Sequence, residues 1–188
     1  MIKNALLYCF LVAFSLQLNS QELAVEIVLQ NSDTLKGKME VVTNTFDKKM
    51  LYADSFTRKV KFIDGNNTKR KISAKEIKKL WFNDFHETPR VFVFHDNELQ
   101  ELIYEGILKC YIAHYPGNHA SFDIYDETGK RVKTGPFTTS DYTIKKAVKF
   151  KPELVELLEK YNNEPLHVKV PIILSKYEET YLKAKQNP

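Results

Sequence analysis

Cysteine, glycine and proline are all scarce in this 188-residue chain, at 2, 6 and 7 residues respectively. Two cysteines exclude a disulfide scaffold, and so little Gly and Pro excludes a collagen-like or low-complexity chain. With 43% hydrophobic and 28% charged residues and a mean hydropathy of −0.38, neither a disordered chain nor a multi-span membrane protein fits. Catalytic signatures are missing too. There is no glycine-rich phosphate loop, nucleophile elbow or metalloprotease helix. The sequence announces a folded protein and no reaction.

Long apolar runs are also absent, with one exception at the start. Lys3 precedes an almost unbroken apolar stretch from Ala5 to Leu18, which ends in Leu18-Asn19-Ser20 before Gln21. That is the form of a secretory signal over residues 1–20, and it is shorter than the roughly 20 residues a spanning helix needs. Cys9 follows Tyr8 in mid-run, not small residues at its end, so a lipoprotein site does not fit. The expectation is an exported chain, periplasmic or extracellular, with no membrane span once mature. Cys110 is then its lone thiol.

After the signal, β patterns dominate. Ala24 to Leu29, the turn Asn31-Ser32-Asp33 and the alternating Thr34 to Val41 predict a hairpin. Met50 to Ala53 is a weaker run. Val60 to Ile63, Asp64-Gly65-Asn66-Asn67 and Thr68 to Ile72 predict a second hairpin, with Asp-Gly as its turn signal. Ser73-Ala74-Lys75-Glu76 has capping-box form, and Ile77, Leu80 and Trp81 follow at helical spacing, predicting a short helical turn.

The motifs Ser32-Asp33-Thr34-Leu35-Lys36-Gly37-Lys38 and Lys71-Ile72-Ser73-Ala74-Lys75-Glu76-Ile77-Lys78 together carry a resemblance. Over roughly residues 22–85 the chain resembles uncharacterised secreted β-rich proteins of the Bacteroidetes, flavobacteria in particular. In that group a Gly-Asp-Thr-hydrophobic-Lys-Gly turn and a Ser-x-x-Glu-Ile segment bracket a small β module; Ser32 here stands where the group usually has Gly. The resemblance implies an exported β-rich module and transfers no catalytic residue.

Further along, Val91 to Phe94 and Ser121 to Tyr125 read as strands, with a turn at Asp126 to Gly129 and a strand at Lys130 to Val132. Residues 98–112 fit helical spacing and strand composition alike; Gly106 in their middle tips the reading to a hairpin bending near Glu105-Gly106. The last fifty residues turn helical. Thr139-Ser140-Asp141 caps a helix through Ile144, Ala147 and Val148, and Pro152 opens another carrying Leu154, Leu157, Leu158 and Tyr161. Val168 to Ile173 is an apolar segment broken by Pro171, and Ser175 to Glu178 reads as the capping box of a terminal helix. The expected fold is α+β: antiparallel β through residues 21–135, as one small sheet or barrel-like region or as two modules meeting near 85–90, then a helical region over 136–188.

For chemistry, His114, His119 and Asp123 flank a Pro-Gly turn and are weak candidates for a metal or for a hydrolase site assembled from dispersed residues. Their spacing matches no standard metal pattern, so no metal or cofactor is expected. His95-Asp96 reads as loop polarity, Cys110 as a small buried hydrophobe, and Glu98 with Glu101 and Glu153 with Glu156 as solvated faces. The compositional outlier is charge. Nine bases between Arg58 and Lys79 stand against Asp64 and Glu76, a local +7 in a chain of net +4. Lys59, Lys61, Lys69, Arg70 and Lys71 are the candidate binding residues, with Phe62, Trp81 and Phe82 expected on the core side. Export argues against nucleic acid and for an anionic glycan, lipopolysaccharide phosphate or an acidic protein. A non-enzymatic binding module is the favoured reading; the alternative is the hydrolase.

Overall fold

The structure is a computed structural model that describes residues 19–117, 119–135 and 138–186. The signal segment expected over residues 1–20 lies almost wholly outside the described residues. Among the described residues ten antiparallel strands are followed by three helices, an α+β fold whose sheet does not close. The described residues form two compact units, one within residues 19–90 with 96–98 and the other within 91–95 with 99–186.

In the first unit, β1 (Asn19–Leu29) and β2 (Thr34–Thr43) form the expected hairpin, with Ser32 at φ 72° in its turn. β3 (Leu51–Tyr52) pairs with the end of β2, and β4 (Lys59–Ile63) with β5 (Lys69–Ser73) extends the sheet. β6 (Ile77–Asn83) lies on the other side of β1, giving the order β6-β1-β2-β4-β5. One face packs Leu23, Val25, Ile27, Met39, Val41, Val60, Phe62, Ile72, Leu80 and Phe82 inward, and Phe56 meets Phe82 edge-on at 5.8 Å. Each such side chain contributes about 1.5–3 kcal/mol on burial.

The capping box at Ser73 and Glu76 is present, but it caps a single 3-10 turn, Ala74–Glu76, and residues 77–83 are a strand, not a helical turn. The reason is a bulge. Val28 faces Lys79 while Leu29 faces Ile77, so one extra residue puts Ile77 and Leu80, three apart, on the same buried side. The bulge copies helical spacing within a strand. Trp81 is correspondingly displaced from the core side: it pairs with Glu26 and is half-buried.

The turns share one device. At Asp64, Asp84 and Asp126 the carboxylate accepts the N–H groups two and four residues on, and the residue at the third position (Asn67, Glu87, Gly129) has φ of 60°, 58° and 77°. The Asp64-Gly65 turn is therefore organised by the aspartate side chain and by Asn67, not by Gly65.

In the second unit, β7 (Pro89–His95), β8 (Glu98–Glu105), β9 (Lys109–Tyr115) and β10 (His119–Tyr125) follow in the order β10-β9-β8-β7. Residues 98–115 are thus a hairpin bending through Gly106. The expected strand at 130–132 reduces to one bridge, Tyr125 to Arg131. α1 (Ser140–Ala147) is capped by Thr139, α2 (Pro152–Lys160) opens on its proline, and α3 spans Leu166–Gln186. α3 corrects the expected break at Pro171 and the expected cap at Ser175. Val170, Ile173, Leu174 and Tyr177 form one buried stripe across the proline, which outweighs its missing N–H. Glu178 reaches to the β8–β9 turn, where its carboxylate accepts from Tyr104 Oη at 2.6 Å and from Ile107 N–H at 3.3 Å.

Candidate anion-binding surface

Residues directly opposite each other in an antiparallel sheet project to the same side. Lys59 lies opposite Ser73, Lys61 opposite Lys71 and Ile63 opposite Lys69, while β2 sets Glu40 opposite Lys61 and Lys38 opposite Ile63. Lys59, Lys61, Lys69 and Lys71 therefore share the outer face with Lys38 and Glu40, and all four are exposed. Arg70 goes to the reverse side: it lies opposite Phe62, and its guanidinium stands 5.4 Å from that ring's centroid. Of the five expected binding residues, the four lysines share the outer face and the arginine stands on the other.

Glu40 sits among these lysines. Its carboxylate is 2.5 Å from Lys69 Nζ and 3.7 Å from Lys61 Nζ, and its side chain is only 19% exposed. The hydrogen bond from Lys69 holds the Glu40 carboxyl below its ordinary range against the opposing effect of burial, and the same bond raises the Lys69 ammonium. Lys59 and Lys71 have no acidic partner among the described residues. On the same face, Lys36 pairs with Glu26 at 3.3 Å and Lys38 with Glu22 at 3.0 Å. An open depression of about 340 Å³ is lined by Glu40, Lys61, Lys69, Arg70 and Lys71 together with the buried Phe62 and Ile63. Glu40 was not singled out in the sequence. The alternation of β2 marks it as outward, but only the pairing of β2 with β4 brings it to Lys61.

The histidine candidates separate. His114 lies opposite Ala120, which puts His119 and Asp123 on the other face of the β9–β10 pair. His119 is exposed, and Asp123 forms an ion pair with Arg131. Among the described residues no three His, Cys, Asp or Glu side chains are grouped to hold a metal. His114 lies within β9 with its Nε2 2.8 Å from Glu101, and Glu101, expected on a solvated face, is only 5% exposed. His95 stacks on Tyr111, with ring centroids 4.5 Å apart, and belongs to β7. Cys110 is fully buried, and that burial pushes its thiol well above the ordinary range. No helix among the described residues is long and apolar enough to cross a membrane.

Comparison of the chain with family models, with curated proteins and with solved structures returns no match.

Proposed function

We propose that the protein is an exported, non-enzymatic envelope or secreted module that holds an anionic partner, whether glycan, lipopolysaccharide phosphate or acidic protein, on the outer face of its β4–β5 hairpin. The observation that carries this reading is the projection of Lys59, Lys61, Lys69 and Lys71 from one face, where among the described residues Glu40 is the only carboxylate that forms an ion pair with them. Neighbours along a strand on that face are about 6.6 Å apart, and opposed residues are closer, so each lysine position lies within a Debye length of about 8 Å at physiological salt from the next, Lys69 from Lys71, Lys71 from Lys61 and Lys61 from Lys59. They act on an anion as one patch. Export is supported by the apolar run from Ala5 to Leu18 behind Lys3.

The test is retention on a sulfated-dextran column. Retention should fall as salt rises, because screening governs association between exposed charges. The triple variant Lys59→Ser, Lys61→Ser, Lys71→Ser should lose it while shifting stability by no more than about 0.5 kcal/mol, as exposed substitutions do. A triple variant that elutes with the wild type would overturn the reading.

A further inference from the structure

β5 is the last strand in its sheet order, and no strand among the described residues pairs with its outer side. The hairpin register tells which backbone groups face that open side. Asp64 N–H donates to Thr68 C=O at 3.1 Å, so these two residues form a hydrogen-bonded pair. An antiparallel ladder alternates, which makes Phe62 with Arg70 and Val60 with Ile72 the next hydrogen-bonded pairs. Lys69, Lys71 and Ser73 then turn their N–H and C=O groups outward. The Ser73 N–H is already taken by the Glu76 carboxylate at 3.0 Å. Lys69 and Lys71 keep theirs, two donors and two acceptors spaced by about 6.6 Å along the edge.

The residues that offer backbone are the same ones that offer charge. Lys69 and Lys71 project to the outer face beside Lys61, whereas Arg70 between them projects to the side of Phe62. A strand laid along β5 would set every second side chain against the lysines and the intervening ones against Arg70. We infer that the open edge of β5 captures an extended acidic peptide by strand addition, with an Asp or Glu at alternate positions facing Lys69 and Lys71. This rests on the anionic-partner reading above and narrows it to a protein segment. A second copy of β5 does not fit, since pairing would set lysine against lysine, and like charges directly opposed are destabilising. A sulfated or phosphorylated glycan supplies charge without the alternating N–H and C=O groups of a strand. A peptide supplies both, and main-chain bonds give such complexes their affinity while alternate side chains give specificity.

The experiment uses the exported protein and three probes: an eight-residue peptide alternating Glu and Val, a peptide of the same composition with its four Glu in one block, and dextran sulfate. The alternating peptide should bind about tenfold or more tightly than the block peptide, the gain expected from two or three added main-chain bonds. It should slow amide hydrogen exchange at Lys69 and Lys71, and dextran sulfate should not. Lys71→Pro removes an outward N–H without touching the β4 pairing, and it loses the same charge as Lys71→Ser, so it should bind the alternating peptide about tenfold more weakly than Lys71→Ser does while the two variants are retained alike on dextran sulfate. If that variant does not fold, amide exchange in the wild type decides alone. Equal affinity for the two peptides, or unprotected Lys69 and Lys71 amides in the complex, would overturn strand addition while the charge patch stands. Failure of all three probes to bind would overturn the anionic-partner reading itself.

Discussion

At the scale of single residues, two positions in strands are set by what lies against them. Gly37 stands within β2, and a Cβ built on it would come 2.3 Å from the Ile63 carbonyl oxygen and 2.7 Å from the Phe62 ring. The first obstacle is backbone and cannot swing aside. Gly37→Ala should therefore destabilise the protein by about 1–3 kcal/mol, the range for overpacking, read as a lowered denaturation midpoint with unchanged slope. The glycine that the sequence presents as part of a turn motif is a packing glycine under Phe62. Cys110 is the other case. It is the only cysteine after Ser20, and its neighbours across the strands are Ile124 and Tyr104. A thiol reagent should react with the folded protein only as fast as the chain opens, and complete labelling within seconds under native conditions would place the sulfur at the surface.

At the scale of elements, the β8–β9 turn is tied to α3 through one carboxylate. Tyr104 donates to Glu178, and burial, followed by that hydrogen bond, pushes the phenol up to about 12. The sign follows from linkage: the folded state favours the protonated phenol, whose unfolded pKa is about 10. This contribution to stability is fully present below pH 10 and is lost as pH rises from about 10 to 12. Denaturation midpoints of the wild type should fall across that window relative to those of Tyr104→Phe, which has no phenol to titrate. Parallel curves for the two proteins would show that the phenol titrates alike in both states. The same tie explains why Ser175 and Glu178, spaced as a capping box, do not begin a helix: the glutamate is engaged at the turn and the apolar stripe runs on past it.

At the scale of the whole molecule, export and charge distribution carry the functional reading. β1 begins at Asn19, and the Gln21 side chain donates to Thr43 Oγ1 at 3.1 Å and to the Lys48 carbonyl at 2.9 Å, anchoring the strand from that residue on. Cleavage after Ser20 would leave these anchors in place. If residues 1–20 are a secretory signal, the mature protein should begin at or near Gln21 and be recovered without detergent, as N-terminal sequencing and carbonate extraction would show. A product beginning at Met1, or one resisting carbonate, would contradict the signal reading. Removal of a signal over residues 1–20 would take Lys3 and lower the formal charge from +4 to +3, and the +7 between Arg58 and Lys79 would then leave the remainder at −4. The cationic surface is thus a local feature of a nearly balanced chain, and its anion binding should be strongly salt-dependent.

The sequence by itself determined what depends on near neighbours. An apolar run marked β1, period-two alternation marked β2 and the Asp-Gly turn signal marked the β4–β5 hairpin; Thr139 and Pro152 marked two helix starts, because caps and turns are satisfied within a few residues. It also showed that bases accumulate between Arg58 and Lys79. The tertiary structure decided what depends on register. A bulge opposite Val28 and Leu29 turned a helical spacing into a strand, a buried stripe carried α3 through Pro171, and pairing across β9 and β10 put His114 and Asp123 on opposite faces. The same pairing rule set four lysines around Glu40 and sent Arg70 to Phe62. In each case the deciding contact joins residues from different strands or helices, and a change of one residue in pairing exchanges the two faces of a strand. Composition and local spacing are blind to that exchange.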